Sequence, residues 1–292
     1  MKILVCVKQV LDGEAPVHVD ASGRWFAPEA TPVWRMNAFD AFAVEEALRI
    51  RERVPDTTID AISVGPERAA AVLTRALEMG ADAGVHLVTE SEGRLSPRAV
   101  ASRIAAWAGP RNYDLILTGA MSEDVMDAQV GPMLAELLGR PWATAVMRMD
   151  LSGRAIDAYP PLPDGPEASG AAERPPRPPA SAPTADGPYR TLYVERELEG
   201  GVREALVLGL PALVAVQSGI NRPRYPALSH VLRARKQPLI TAPSAPSGAM
   251  AERERVAGVY ETPPSRTGLF LEGSPEDKAR RLLELLEEKA LL

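Results

Sequence analysis

Apolar positions along the chain come in short unbroken runs, separated by stretches of helical period. Residues 2–7 are an almost unbroken apolar and β-branched run, and residues 58–64 are another, interrupted by Asp60 and Ser63. That is the pattern of strands buried on both faces. Residues 84–88 and 114–118 repeat it more briefly, and residues 142–149 form a further strand-like run. Between the first two runs the period changes to 3.6, which predicts a helix over 41–54 with Asp40 as its N-cap. Phe39, Ala43, Ala47, Ile50 and Val54 fall on its inner face, and Glu45 and Arg49 pair on the outside. Pro66 opens the next helix and Gly80 stops it. Ser96 and Pro97 open a third, with Val100, Ile104 and Trp107 inward and Gly109 at its end. Strands alternating with helices to about residue 150 predict an α/β fold with a doubly wound, mostly parallel sheet. Its ligand crevice belongs at the carboxyl ends of the strands. The loops after Val7, after Val64 and from Gly119 to Gly131 should meet there.

Past residue 150 the pattern changes. Ten of the 28 prolines fall between Pro160 and Pro188, among Ala, Ser, Gly and Glu. Such a composition buries too little to order itself, so residues 159–189 read as a mobile insertion or a proline-rich docking segment. Residues 191–198 and 202–208 flank Gly200 and Gly201 and predict an added β-hairpin. Residues 210–216 form another buried-type strand, with Pro211 at its start. This divides the chain into an α/β domain over 1–220 and an extension over 221–292. The extension begins with a basic stretch, 221–236, carrying one apolar spot at Leu228. An extended arm over 240–264 follows, and then a C-terminal helix. Ser274 caps that helix, Pro275 takes its first position and Asp277 completes a capping box. Ala279, Leu282, Leu283, Leu286 and Ala290 make one apolar face, which must be buried on this chain or, preferably, on a partner.

Composition narrows the function. A net charge of −6 over 292 residues argues against nucleic acid or an anionic membrane as the main partner. No run approaches the roughly 20 apolar residues of a membrane span, and no signal or transit peptide is recognisable, so a cytoplasmic setting is expected. The one cysteine, Cys6, excludes a disulfide within the chain and an iron–sulfur cluster held by it alone. His18, His86 and His230 have no metal-ligand spacing. There is no Gly-x-Gly-x-x-Gly after the first strand, no Walker A sequence and no Gly-x-Ser-x-Gly elbow. What remains is the loop from Gly119 to Gly131. Its small residues admit a ligand to the backbone, and Asp124, Asp127 and Gln129 suit ribose hydroxyls and base edges. A nucleotide-binding domain with weak catalytic equipment and a long arm suits a subunit that holds a cofactor and docks on something else.

Several ordered motifs carry a resemblance. They are residues 1–8, the run Met36, Asn37, Ala38, Phe39, Asp40 continuing to Ala47, Ser63 to Pro66, and Arg75 to Asp82. The most specific are Val194 to Gly201, Leu210 to Val214 and Asn221 to Tyr225. Together they resemble the beta subunit of electron transfer flavoprotein over nearly the whole chain, the proline-rich insertion excepted. The resemblance implies a Rossmann-like adenine-nucleotide-binding domain paired with an alpha subunit that holds most of an FAD. It implies electrons arriving from flavin dehydrogenases and leaving to a quinone oxidoreductase or another acceptor. The family's nucleotide site maps onto Cys6, Asn37, Ala38, Phe39, Asp40 and Val64. It continues through Gly119, Ala120, Met121, Ser122, Glu123, Asp124, Val125, Met126, Asp127, Ala128, Gln129 and Val130. In many members that nucleotide is AMP; in electron-bifurcating members, which use NADH, it is a second FAD. Ala128 to Pro132 is similar to the FAD type, whereas Ala120 to Asp127 departs from both, so AMP and FAD both stay open. The family's partner-recognition loop maps onto Arg224 to Lys236, with Leu228 as apolar anchor and Arg224 and Tyr225 beside it.

Two other readings compete. An adenylate-using ligase would need a Ser-Gly-Gly phosphate loop after the first strand, where this chain has Lys8, Gln9 and Val10. A non-redox, stress-type nucleotide-binding protein would need neither the basic stretch around Leu228 nor the long arm.

Overall fold

The runs that read as continuously apolar are buried on both faces of one large sheet. The computed structural model describes residues 1–13, 17–28, 32–90, 95–151, 191–243, 256–261 and 268–289. The proline-rich stretch 159–189 lies outside them, as does Ala290. The first half runs β1 (Lys2–Cys6), β2 (Gln9–Leu11), β3 (Val17–Val19), β4 (Phe26–Pro28), β5 (Trp34–Met36), α1 (Ala38–Arg53), β6 (Thr58–Gly65), α2 (Ala70–Met79) and β7 (Ala83–Val88). Then come α3 (Pro97–Ala108), β8 (Leu115–Gly119), α4 (Val130–Leu137) and β9 (Trp142–Asp150). The second half holds β10 (Thr191–Glu197), β11 (Arg203–Gly209), β12 (Ala212–Val216), α5 (Leu228–Ala234), β13 (Ile240–Pro243) and α6 (Pro275–Glu288).

Nine strands form the main sheet in the order β11-β10-β9-β12-β8-β1-β6-β7-β13. β1 pairs parallel with β6 and β8, and parallel pairing continues from β9 across to β13. Only the β10–β11 hairpin and its pairing to β9 are antiparallel. The predicted doubly wound, mostly parallel α/β sheet with an added hairpin is therefore the fold found. Alternation along β1 sorts the two cores. Ile3 and Val5 pack with Ala43, Ala47, Leu73 and Leu77 from α1 and α2. Leu4 and Cys6 face the other way, with Ala101, Ile104 and Leu134 from α3 and α4.

Four details depart from the sequence reading. α1 begins three residues early, at Ala38, with Asn37 as N-cap, so Asp40 is a buried first-turn residue instead of a cap. Glu45 is buried as well, because the chain after β12 folds over it. Two short pairings that the hydrophobic pattern does not register lie between β1 and α1: β3 and β4 form a hairpin, and β2 pairs with β5. The arm contributes β13, which pairs parallel with β7 at the sheet edge. The arm then returns to the β3–β4 hairpin, where the Val259 N–H donates to the Gly23 carbonyl at 2.9 Å. In α6 the Ser274–Asp277 capping box is present, and no residue of the helix is buried.

Candidate functional site

The sheet order makes β1 the switch point. The chain moves outward from β1 through β6 and β7, then returns to β8 on the other side of β1. Loops leaving β1 and β8 therefore part, and a cleft opens at their carboxyl ends. The cleft is lined by Cys6, Val7 and Lys8 after β1, and by Ile62, Val64 and Gly65 at the end of β6. From the loop after β8 come Gly119 to Ser122, Asp124, Val125 and Asp127 to Gly131. All three predicted loops meet there.

The N-terminus of α1 is fastened across this cleft by three polar side chains. The Asp40 carboxylate accepts the Lys8 N–H at 2.7 Å through Oδ2 and the Gly119 N–H at 3.1 Å through Oδ1. Asn37 donates from Nδ2 to the Met121 carbonyl at 2.9 Å and accepts the Glu123 N–H at 3.1 Å. Glu123 in turn accepts the Ala38 N–H at 3.0 Å and pairs with Arg35 at 3.2 Å. It thereby satisfies a free donor at the helix start from another loop. Gly119 is required by this approach: a Cβ there would lie 2.5 Å from Asp40 Oδ1 and 2.6 Å from Phe39 Cβ. Its smallness serves the packing of α1 on β8, not the access of a ligand.

The electrostatics of the cleft are mixed. The Lys8 ammonium donates to Asp124 Oδ1 at 2.7 Å and to Ser122 Oγ at 3.2 Å. Burial pushes the Asp40 carboxyl up to about 7, although its backbone donors and Lys8 favour the ion. Burial, then the Asp40 charge, pushes the Cys6 thiol far above its ordinary value, which makes it inert filler. Met126 and Ala128 both have φ of 54°, so two non-glycine residues sit in the left-handed region inside one loop. That loop delivers Gln129, Val130 and Gly131 to the cleft at the start of α4, whose N-cap residue Gln129 makes no side-chain cap bond. The buried Thr118 Oγ1 beside it has no hydrogen-bond partner among the described residues. A helix start and an unsatisfied hydroxyl at a switch point suit an anionic, hydroxyl-bearing ligand.

The electron transfer flavoprotein domain family matches residues 25–164. The electron transfer flavoprotein subunit beta of Bradyrhizobium diazoefficiens is 31% identical over 82% of this chain and 80% of its own length. The mitochondrial subunit beta of Oryza sativa subsp. indica is 31% identical over 94% of this chain and 95% of its own. The Homo sapiens subunit beta is 30% identical over 98% of each. This chain belongs to the electron transfer flavoprotein beta-subunit family.

Of the residues expected to form the nucleotide site of an electron transfer flavoprotein beta subunit, most line the cleft. Ala38, Phe39, Glu123 and Met126 do not. Ala38 and Glu123 bond each other, Phe39 backs onto Gly119, and the Met126 side chain is exposed. Sequence reasoning missed Lys8, Gln9, Trp25, Phe26, Trp34 and Arg68, which also line the cleft. The signal for the aromatics was present: large apolar residues stood in a stretch otherwise polar.

The expected recognition segment contains a helix, α5, starting at Leu228. Leu228 is 73% exposed, and Tyr225 and Leu232 are exposed beside it. Arg224 is committed inward: it grips Glu45 through Nε at 2.8 Å and Nη2 at 3.0 Å, and reaches Glu52 at 2.8 Å. Burial opposes ionisation of Glu45, but the bonds from Arg224 outweigh it and hold the carboxyl below its ordinary value. Arg224 therefore fixes the segment to α1, where sequence reasoning had placed it on the rim of a docking surface.

Proposed function

We propose that this chain is the beta subunit of a heterodimeric electron transfer flavoprotein, working in the cytoplasm. It binds an adenine nucleotide in the β1/β8 cleft and supplies one wall for an FAD held mainly by an alpha subunit. That FAD takes electrons from flavin dehydrogenases of the acyl-CoA dehydrogenase type and passes them to a quinone oxidoreductase or another acceptor. The redox chemistry is the flavin's. This chain's residues bind and orient: the start of α4 and Thr118 would hold the phosphates and sugar, and Lys8 and Asp124 close one side of the cleft.

The observation that carries the reading is the switch-point cleft with the start of α4 at its edge, in a chain of this family. Ala128 to Pro132 favours a second version, in which the nucleotide is a second FAD and the heterodimer bifurcates electrons from NADH. One measurement separates the versions. The chain is co-purified with its alpha subunit and denatured, and the released nucleotides are quantified. One FAD and one AMP per heterodimer supports the simple carrier. Two FAD supports the second version. A colourless homodimer without nucleotide would overturn both.

A further inference from the structure

Two of the chain's four tryptophans, Trp25 and Trp34, line the nucleotide cleft, and so does Phe26, one of four phenylalanines. All three are half-buried and outside both hydrophobic cores. Trp25 and Phe26 stack on each other, with ring centroids 4.7 Å apart and planes at 28°. The turn that places them is closed by the Asp20 N–H donating to the Trp25 carbonyl at 2.8 Å. Across the cleft edge the Arg68 guanidinium lies 4.2 Å from the centre of the Trp34 ring. Gln9 fixes that residue by donating from Nε2 to the Arg68 carbonyl at 2.8 Å.

Aromatic rings left half-open to a cleft gain when another flat apolar surface covers them. A guanidinium laid on an indole presents a flat, delocalised surface on which an aromatic ring can stack. The same cleft also offers aliphatic surface from Val64, Leu95 and Val100. A slot with an aromatic side and an aliphatic side takes a flat heterocycle better than a sugar or a phosphate.

We propose that Trp25, Phe26, Trp34 and Arg68 form a stacking wall that takes a heteroaromatic ring of the bound nucleotide and sets which ring the cleft accepts. The inference rests on the cleft being a nucleotide site. A purine and a flavin share the relevant chemistry, and the test separates them.

The full-length chain, freed of nucleotide, is titrated calorimetrically with AMP, with FMN and with ribose 5-phosphate, which has no ring. Trp34→Leu and the double variant Trp25→Leu/Phe26→Leu are compared with the wild type. Each should weaken a ring-bearing ligand about tenfold or more and leave ribose 5-phosphate within about twofold. Trp34→Phe, which keeps a ring, should recover most of the loss. A loss confined to AMP assigns the wall to a purine, and one confined to FMN assigns it to a flavin. Unchanged affinity for both ring-bearing ligands overturns the proposal and leaves the nucleotide site standing. An equal loss for ribose 5-phosphate also overturns it, because the aromatics would then only support the hairpin. Failure of the wild type to bind any of the three sinks the nucleotide reading itself.

Discussion

Asp40 joins two backbone donors that belong to the exits of neighbouring strands, and its own ionisation is costly. Burial raises its carboxyl from an ordinary 3.8 to about 7. A carboxyl raised in the folded state stabilises the fold below its unfolded pKa, and that contribution is lost as pH rises through the folded value. The Asp40 contribution therefore falls between about pH 4 and pH 7, even with the Lys8 ammonium nearby. Asp40→Asn should flatten this part of the stability profile. It should also cost about 1–3 kcal/mol at pH 5, because an amide NH2 would then face one of the two N–H donors. Urea midpoints at pH 5 and pH 8 test this, and an unaltered pH dependence in the variant would exclude Asp40 as the source. From sequence, Asp40 looked like a helix cap because aspartate before an apolar run usually is one. Nothing local signals that its acceptors' partners lie 32 and 79 positions away.

At the scale of elements, the sequence was most legible where hydrophobic period alone decides. The central strands and α1 to α3 appear within a few residues of their predicted bounds. The hairpin at Gly200 and Gly201 was legible for the same reason, since both glycines take positive φ, 74° and 75°. The β3–β4 hairpin and β13 were not, because three- and four-residue strands carry too little period to register. The candidate site was legible as three loops; its aromatic side showed only as large apolar residues among polar ones, since nothing local ties residues 25, 34 and 68 to the cleft. α5 illustrates the remaining gap: its seven residues read as a basic loop, and they become a helix because Ala234 buries against the body. Leu228 begins that helix and presents its side chain to solvent. Leu228→Ala should leave stability within about 0.5 kcal/mol and flavin content unchanged. It should lower electron transfer from the dehydrogenase by about tenfold, as loss of an anchor worth more than 1 kcal/mol would. Unaltered turnover with the dehydrogenase would remove Leu228 from the docking surface.

For the whole molecule, the sheet carries the stability and the C-terminal helix contributes little to it. α6 buries no residue, and Leu282 and Leu283 remain 48% and 54% exposed. Sequence reasoning expected this apolar face to need a partner. Removing residues 274–292 should therefore leave the Tm of the isolated chain nearly unchanged. The same truncation should weaken association with the alpha subunit at least tenfold, measured by size-exclusion chromatography across a dilution series. A large fall in Tm would mean that the helix packs on this chain after all.

The meeting of Lys8, Asp40 and Gly119 on a single carboxylate also bears on the order of events during folding. These positions span more than a hundred residues of chain, and contacts between remote segments are slow to form. The cleft takes its final outline only once β1, α1 and β8 have all assembled. A nucleotide bound as proposed would have nothing to grip in a partly folded chain, so it would not hasten folding. Its effect would fall on the return journey: by binding only the finished form, it would hold the native chain back from unfolding.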